Sequence, residues 1–173
     1  MSSHPHNFSR YCMHCGERLS TAVPEGDRQR RLVCIGCGFI HYINPRPVAA
    51  TLPIRADGAV LLVRRAIDPR IGTWVFPGGY MDVGETAEEA AMRETMEEAN
   101  LEVTNLRLSG VYTRPDPGVV LIVFEAEAVS EASAGHETSE VAWFTHETIP
   151  WGELGFDSTE WALRDWAARV AGA

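Results

Sequence analysis

The distribution of apolar residues along the chain predicts six β-strands, two pairs of which form hairpins. One pair of apolar runs flanks Ala56-Asp57-Gly58, and another flanks residues 115–118, which read Pro-Asp-Pro-Gly. Glycine, proline and aspartate at such junctions are typical of tight turns between paired strands. We expect the strands at residues 48–55, 59–65, 74–76, 106–113, 119–129 and 141–144.

A helix is predicted between Thr86 and Asn100. Thr86 stands three residues before Glu89, the spacing of a capping box in which each side chain binds the other residue's backbone N–H. Asn100 tolerates the left-handed backbone conformation that closes a helix. The sequence therefore predicts a tightly bounded helix at residues 87–99.

A second helix is predicted at residues 158–170, near the end of the chain. Ser158 is expected to be its N-cap, and Trp161 and Trp166 are expected on its apolar side. Strands surrounding two helices predict an α+β protein. Its main domain is expected to be an α/β/α sandwich with a mixed sheet.

The four cysteines form two Cys-x-x-Cys pairs, each followed by glycine. Cys12 and Cys15 make the first pair, and Cys34 and Cys37 make the second after 18 intervening residues. Four thiolates satisfy tetrahedral zinc completely, so the spacing predicts one structural zinc ion per chain. Disulfides and a redox motif are the alternatives, which the absence of a secretion signal and the matched pairing disfavour. His14 could replace a cysteine but is expected to be a bystander.

A proline-rich connector separates the cysteine-containing segment from the rest of the chain. It reads Tyr-Ile-Asn-Pro-Arg-Pro at residues 42–47, and we place the domain boundary near Pro45. The predicted organisation is a zinc ribbon at residues 1–44 followed by a second domain at residues 45–173.

The formal charge of −9 is unevenly distributed over the 173 residues. Residues 1–46 hold six arginines against three acids, whereas the remainder holds nine arginines against 21 acids. An acidic domain repels phosphate unless cations intervene, so a phosphorylated substrate would require a metal. The absence of lysine excludes a P-loop lysine, a Schiff-base lysine and a lysine general base. Lacking a bilayer-length apolar run or a signal-like start, the protein is expected to be cytoplasmic, without a membrane partner.

Three glutamates on one face of the first predicted helix are the strongest candidates for chemistry. Glu94, Glu97 and Glu98 are spaced i, i+3 and i+4, so their side chains emerge on one arc. Carboxylates this close repel one another, and oxygen ligands suit Mg²⁺ or Mn²⁺. A solvated acidic face is the alternative. The bare backbone of Gly78 and Gly79 just upstream favours a site, because a carbonyl or a phosphate can approach it closely.

This segment resembles the signature of the Nudix hydrolases, G-x5-E-x7-R-E-U-x-E-E-x-G-U, where U is apolar. Thr95 stands at an apolar position, and Asn100 replaces a glycine while still tolerating a positive φ. Neither departure removes a metal ligand. The matching positions are Gly79, Glu85, Arg93, Glu94, Glu97, Glu98 and Leu101.

The resemblance implies a Mg²⁺- or Mn²⁺-dependent hydrolase in which water attacks a diphosphate phosphorus. Gly78 and Gly79 would contribute backbone to the substrate and metal site, with the Gly78 carbonyl as a further ligand. Glu85 would pair with Arg93 to brace the loop against the helix. The implied metal ligands are Glu94, Glu97 and Glu98.

Residues outside the signature supply the expected general base and the contact to a substrate ring. In the family that the chain resembles, the base often comes from a separate loop, and residues 135–140 are the candidate stretch. Glu140 is ranked ahead of Glu137, with an exposed loop carboxylate as the alternative role for each. The aromatic candidates for a substrate ring, each otherwise a core residue, are Tyr112, Tyr80 and Phe39.

A zinc ribbon before such a domain resembles two groups of Nudix hydrolases. NADH pyrophosphatases carry an SQPWPFP-like string after the signature, and this sequence has none. The strings YINPRPV, HETSEVAWF and IPWGELGFDST instead resemble the plant plastid pyrophosphatases of FAD and ADP-ribose and their bacterial relatives. This resemblance implies hydrolysis of FAD or ADP-ribose with release of AMP. NADH or NAD is the alternative substrate.

The resemblance also implies a small nucleotide as substrate and a homodimer as the assembly. A non-catalytic sensor, with a ribbon that binds nucleic acid, is the alternative from another functional class. A sensor has no need of three repelling carboxylates, and the acidic balance opposes contacts with a phosphate backbone. We therefore expect an enzyme and do not expect nucleic acid as a partner.

Overall fold

The computed structural model describes residues 10–116 and 118–172. It divides into two compact units, Met1–Asn44 and Pro45–Ala173. Residues 1–9 of the predicted ribbon and Pro117 of the predicted turn lie outside the described residues. Within the described ranges, no helix has both the length and the apolar character that crossing a membrane requires.

The first unit is built on a small antiparallel sheet. Its strands are β1 (Leu19–Ala22), β2 (Arg31–Cys34) and β3 (Ile40–His41), with β2 in the middle. Gly16 and Gly38, which follow the second cysteine of each pair, have φ values of 78° and 73°. These left-handed conformations favour glycine and turn the backbone back toward the thiols.

Seven strands of the second unit form one mixed sheet. They are β4 (Arg46–Ile54), β5 (Val60–Arg65), β6 (Trp74–Val75), β7 (Gly78–Tyr80), β8 (Val103–Arg114), β9 (Val119–Ala128) and β10 (Thr138–Phe144). The order is β10-β5-β4-β9-β8, with β6 beside β5 and β7 beside β4. β4 and β9 are parallel, and the other described pairs are antiparallel. The six predicted strands are confirmed with shifted ends, and β7 is additional.

The first helix, α1 (Ala87–Ala99), has the predicted bounds. The Thr86 hydroxyl accepts the Glu89 N–H at 3.2 Å, and the Glu89 carboxylate accepts the Thr86 N–H at 2.8 Å. Asn100 closes the helix with φ 45° and ψ 35°. Both predicted caps are confirmed.

The second helix, α2 (Asp157–Ala171), begins one residue earlier than predicted. Its N-cap is Phe156, in extended conformation and without a side-chain cap, so the prediction of Ser158 as N-cap is wrong. Ser158 is buried in the first turn. Trp166 is buried as predicted, but Trp161 is 43% exposed and lies off the apolar side.

The sheet lies between the two helices. On one face, Ala90 of α1 packs with Ala49 of β4 and Phe124 of β9. On the other face, Trp166 of α2 packs with Leu52 of β4. Side chains an odd number of positions apart on a strand point to opposite faces, so β4 contributes to both layers. The α/β/α sandwich with a mixed sheet is confirmed.

Candidate active site and metal centre

The four cysteines of the first unit converge on one point. Their sulfur atoms all lie within 4.8 Å of one another. Cys12 Sγ lies 3.8 Å from Cys37 Sγ, and Cys15 Sγ lies 3.4 Å from Cys34 Sγ. Four thiolates bound to zinc at about 2.3 Å form a tetrahedron whose edges are about 3.8 Å. The cluster therefore fits the predicted ligand set, and all four thiols are free of disulfides.

Backbone amides of the second cysteine pair prepare one thiol for metal binding. The Cys37 N–H donates to Cys34 Sγ at 3.4 Å. This contact is the main cause that lowers the pKa of Cys34 to about 6. Thiolate is the form that binds zinc. The His14 ring packs near Phe39, with ring centres 5.8 Å apart, and the metal-binding cluster consists of the four cysteines.

We predict one zinc ion per chain, lost on the substitution Cys34→Ser. Because a structural zinc mainly stabilises the segment that holds it, the ribbon should unfold while the second unit keeps its structure. His14→Ala, which removes a neighbouring side chain outside the cluster, is the matched control and should retain zinc. Elemental analysis measures the zinc, and circular dichroism with limited proteolysis reports the two units. Full zinc in Cys34→Ser would contradict the assignment.

Two glycines bring the backbone of β7 against both β4 and α1. A Cβ atom on Gly78 would overlap the backbone and side chain of Ala50, since β7 pairs with β4 at this point. A Cβ atom on Gly79 would overlap the carboxylate of Glu94. Only glycine at position 78 leaves room for β7 to pair with β4, and a side chain at position 79 would displace the Glu94 carboxylate.

Arg93 joins three carboxylates at the start of this site. Its Nη2 and Nε donate to Glu85 at 2.8 and 3.1 Å, as the resemblance implied. Its Nη1 also donates to Glu94 at 2.7 Å and to Glu97 at 3.2 Å. The two bonds from Arg93 are the main cause that lowers the pKa of Glu85 to about 2. Arg93 thus neutralises two of the helix carboxylates as well as bracing the loop.

Glu98 is the carboxylate of the three that is most withdrawn from solvent, with 6% of its surface exposed. Its Oε2 accepts the Gly78 N–H at 3.0 Å. Burial raises the pKa of Glu98 to about 7, against the lowering effect of that N–H. The charges of Glu94 and Glu137 raise this pKa further, and that of Arg65 lowers it. The positive charge around Glu98 is therefore too small to offset its burial and the neighbouring carboxylates.

The helix carboxylates are more widely spread than the thiols. Among the described residues, only the cysteines bring three or more ligand atoms into so tight a group. Burial raises the pKa of Glu94, and its contact with Arg93 lowers it. A hydrated Mg²⁺ ion, which keeps several of its waters, suits such an open arrangement of oxygen ligands.

The loop at residues 133–138 wraps the end of α1. The Gly135 N–H donates to the Glu98 carbonyl at 3.0 Å, and the Thr138 hydroxyl donates to the same carbonyl at 2.7 Å. A Cβ atom on Gly135 would overlap the Glu97 carbonyl oxygen. The Ser133 N–H adds a bond to the Ala99 carbonyl at 2.9 Å. These contacts anchor the loop directly beside the carboxylate-bearing turns of the helix.

The two candidate bases, both exposed, stand in different surroundings. The Glu137 carbonyl accepts the Ala66 N–H at 2.8 Å, and the next residue, Thr138, bonds the Glu98 carbonyl, so Glu137 belongs to the segment held against the end of α1. Burial is the main cause that raises the pKa of Glu94 and of Glu98, and the charge of Glu137 adds to it. Glu140 instead pairs with Arg64 at 3.4 Å.

Tyr112 packs on the α2 side of the sheet, opposite the helix that bears the carboxylates, and its role as a substrate contact stays a prediction. Its hydroxyl donates to Asp165 of α2 at 2.8 Å, and its ring packs against the core on the α2 side. Burial, ahead of this bond, raises the pKa of Tyr112 to about 12. Tyr80, the second aromatic candidate, follows Gly79 and is 46% exposed. Phe39 lies in the first unit.

Thr95, which departs from the apolar position of the signature, is fully buried and satisfied. Its hydroxyl donates to the Ala91 carbonyl at 2.6 Å and bonds the Thr51 hydroxyl at 2.6 Å. A buried polar group costs little when it is hydrogen-bonded. The one sign of this contact in the sequence is Thr51, a lone polar residue in the apolar run of β4, which could have been predicted to bond Thr95.

Comparison with known families gives two matches along the chain. The family described as "NUDIX domain" matches residues 44–166. A zinc-ribbon family described as "Nudix N-terminal" matches residues 10–43. The matched segments contain the carboxylate site and the cysteine cluster, respectively.

Named relatives and a solved structure agree with these matches. The NAD-capped RNA hydrolase NudC of Pseudomonas aeruginosa is 32% identical over 146 residues, covering 82% of this chain and 50% of the relative. The ADP-ribose pyrophosphatase of Methanocaldococcus jannaschii is 36% identical over 121 residues, covering 67% of this chain and 70% of the relative. A crystal structure of a NUDIX hydrolase from Nitrosomonas europaea has a TM-score of 0.89 and 34% identity, covering 95% of this chain and 94% of that chain. This chain spans about half the length of the NudC relatives.

Proposed function

The chain belongs to the Nudix hydrolase family, and we propose that it cleaves the pyrophosphate bond of a nucleoside diphosphate linked to a second group. The observation that supports this most strongly is the buried carboxylate of Glu98 against the Gly78 N–H, beside Glu94. Clustered carboxylates repel one another and weaken a helix. Cation-dependent chemistry explains why such an arrangement is kept at a functional site.

We assign Glu94, Glu97 and Glu98 to a site for Mg²⁺ or Mn²⁺. The donor set fits these ions because it consists of oxygen atoms, and the bond from the Gly78 N–H to Glu98 brings the backbone of β7 beside it. Of the three helix carboxylates, Arg93 contacts Glu94 and Glu97 but not Glu98, so the buried Glu98 has the greater need of a cation. When bound, the ion would offset phosphoryl charge and acidify a water molecule.

The residue that accepts a proton from the attacking water is assigned to Glu137, ahead of Glu140. Glu137 lies on the loop that wraps the end of α1, and its charge adds to the causes that raise the pKa of Glu94 and Glu98, whereas the carboxylate of Glu140 is engaged by Arg64. A general base must lie within reach of the water that it deprotonates. The bonds of the loop to the helix end would hold Glu137 at that distance.

FAD or ADP-ribose is our proposed substrate, with AMP as one product. The name of the M. jannaschii relative, 36% identical and 70% covered, supports ADP-ribose. NAD or NADH is the second candidate. The names of the NudC relatives support it, although this chain covers only about half of their length. Those relatives are named for NAD-capped RNA, so the expectation that nucleic acid is not a partner stays a prediction. The homodimer also stays a prediction.

We predict that the protein with Mg²⁺ converts FAD to AMP and FMN, and ADP-ribose to AMP and ribose 5-phosphate. The test is a panel of FAD, ADP-ribose, NADH, NAD, NAD-capped RNA and nucleoside triphosphates, with products identified by mass. Parallel samples with EDTA control for metal dependence. Preference for a triphosphate with release of pyrophosphate would contradict the proposed substrate class, and no turnover of any compound would favour a sensor.

A further inference from the structure

The proposed reaction brings a doubly charged diphosphate to a site that is already rich in carboxylates. The arginine nearest to these carboxylates, Arg93, is engaged by Glu85, Glu94 and Glu97. Other cationic side chains must therefore hold the phosphoryl oxygens that a metal does not reach. Arginines that are positioned by the fold but lack a carboxylate partner are the candidates.

Six arginines of the second unit stack on aromatic rings, and they divide into two classes. Arg55, Arg64 and Arg164 also form ion pairs with acidic side chains. Among the described residues, the other three form no such pair. These three are Arg46, Arg65 and Arg114.

Two of these unpaired arginines share one ring. The guanidinium carbons of Arg65 and Arg114 each lie 5.6 Å from the ring centre of Phe156, so they are separated by no more than twice that distance. Both side chains are half-buried, whereas Arg46 is exposed. A partly desolvated cation is unfavourable without a counterion, and no described carboxylate forms an ion pair with either arginine. The two arginines around Phe156 are therefore candidates to bind an anionic ligand.

The position of Arg65 links this pair to the carboxylate site. Arg65 pairs with Thr138 in the sheet, and the Thr138 hydroxyl donates to the Glu98 carbonyl at 2.7 Å, so the end of β5 lies beside the last turn of α1. The Arg65 Nε donates to the Pro69 carbonyl at 2.7 Å, which fixes the guanidinium plane. Among the described residues, its two terminal nitrogens have no hydrogen-bond partner. They can therefore donate to a ligand.

We propose that Arg65 and Arg114, held on the ring of Phe156, bind the phosphoryl oxygens of the substrate. The planar guanidinium presents paired N–H donors that match phosphate oxygens, and its face remains available to the ring. This inference rests on the proposed function and adds to it the side chains that recognise the anion. Their role is to bind and orient the diphosphate beside the carboxylates of α1.

The experiment compares Arg65→Gln and Arg114→Gln with Arg107→Gln. Arg107 is an exposed arginine on the same strand as Arg114, where it lies opposite Glu125 and far along β8 from Arg114, so it controls for loss of one charge. Steady-state kinetics with ADP-ribose and Mg²⁺ give KM and kcat. Calorimetric titration with α,β-methylene ADP-ribose and Mg²⁺, in which the bridge cannot be hydrolysed, gives binding without turnover, and thermal unfolding reports stability.

We expect each cluster variant to raise KM and weaken binding of the methylene analogue by at least about tenfold, since a hydrogen bond to a charged group is lost. Arg107→Gln should change neither quantity, and the melting temperature should stay close to wild type in all three. Unchanged KM and affinity in the cluster variants, with wild-type turnover intact, would overturn this inference alone. Binding that depends on Arg65 and Arg114 without turnover would support the anion site and contradict the proposed reaction. A wild-type protein that neither binds the analogue nor cleaves ADP-ribose would overturn both.

Discussion

Glu98→Gln is expected to lower kcat by at least about 10²-fold while the metal-free protein keeps or gains stability. The glutamine oxygen can still accept the Gly78 N–H, so the packing of β7 against α1 is preserved. What disappears is a negative charge assigned to the metal site, and several kcal/mol of transition-state stabilisation depend on such an ion. Each loss of about 1.4 kcal/mol lowers the rate tenfold.

The stability of the same variant should depend on pH in a defined direction. Burial raises the pKa of Glu98 in the folded protein to about 7, above the value of about 4.3 for an unfolded chain. Ionisation therefore costs stability as pH rises through this interval, and the cost is fully present above pH 7. In EDTA, Glu98→Gln should be more stable than wild type at about pH 8 and lose this advantage below about pH 4.

Kinetics with Mg²⁺ and thermal unfolding in EDTA test both expectations. Glu97→Gln should lose activity similarly, although its exposed side chain offers little gain in stability. Glu88→Gln, an exposed position outside the cluster on the same helix, is the matched control and should retain activity. Near-normal turnover in Glu98→Gln, or loss of its fold, would mean that the carboxylate is structural.

The elements that the sequence predicted well are those defined by local contacts. The bounds of α1 follow from Thr86, Glu89 and Asn100, whose side chains or backbone act within one turn of the helix. Such caps can be recognised from spacing alone because they involve neighbours in the chain. The cysteine cluster is similar, since the spacing of its two pairs indicates its ligand set.

Elements that depend on distant contacts were missed or displaced. Glycine has low strand propensity, so Gly78–Tyr80 was not predicted to be a strand. The segment forms β7 because it pairs with β4, which approaches so closely that a side chain at Gly78 would overlap Ala50. Ser158 looked like an N-cap, but Phe156 begins α2 and Ser158 is buried in its first turn. Tertiary packing determined these positions.

Within the site, the spacing identified the three glutamates but not how charges are distributed among them. Arg93 was expected to pair with Glu85, and the folded chain also brings it to Glu94 and Glu97. The helix layer that Tyr112 faces could not be predicted, because a half-buried aromatic on a strand can face either layer. The surroundings of Glu140 could not be predicted either, since a register shift between Thr138 and Glu140 changes the direction of side chains there.

Gly135 holds the loop that carries Glu137 against the end of α1, and nothing in the sequence predicted this contact. Its substitution is expected to have a large effect. Gly135→Ala should destabilise the protein by about 1–3 kcal/mol, the usual cost of forcing extra volume into a packed contact. Its methyl group would overlap the Glu97 carbonyl oxygen, which belongs to helix backbone and cannot swing aside. The loop must therefore move away from the helix end.

Because Glu137 lies two residues further along, this displacement should also lower kcat by at least about tenfold in the fraction that remains folded. A shift of about 1 Å in a catalytic group can cost about 10²-fold in rate. Thermal unfolding and kinetics below the melting transition separate the two effects. Gly152→Ala is the matched control, since its methyl group meets nothing within 4 Å. Glu137→Gln should reproduce the loss of kcat without the loss of stability, because its side chain is exposed. If Gly135→Ala were destabilised but turned over normally, the loop would brace the helix without positioning the base.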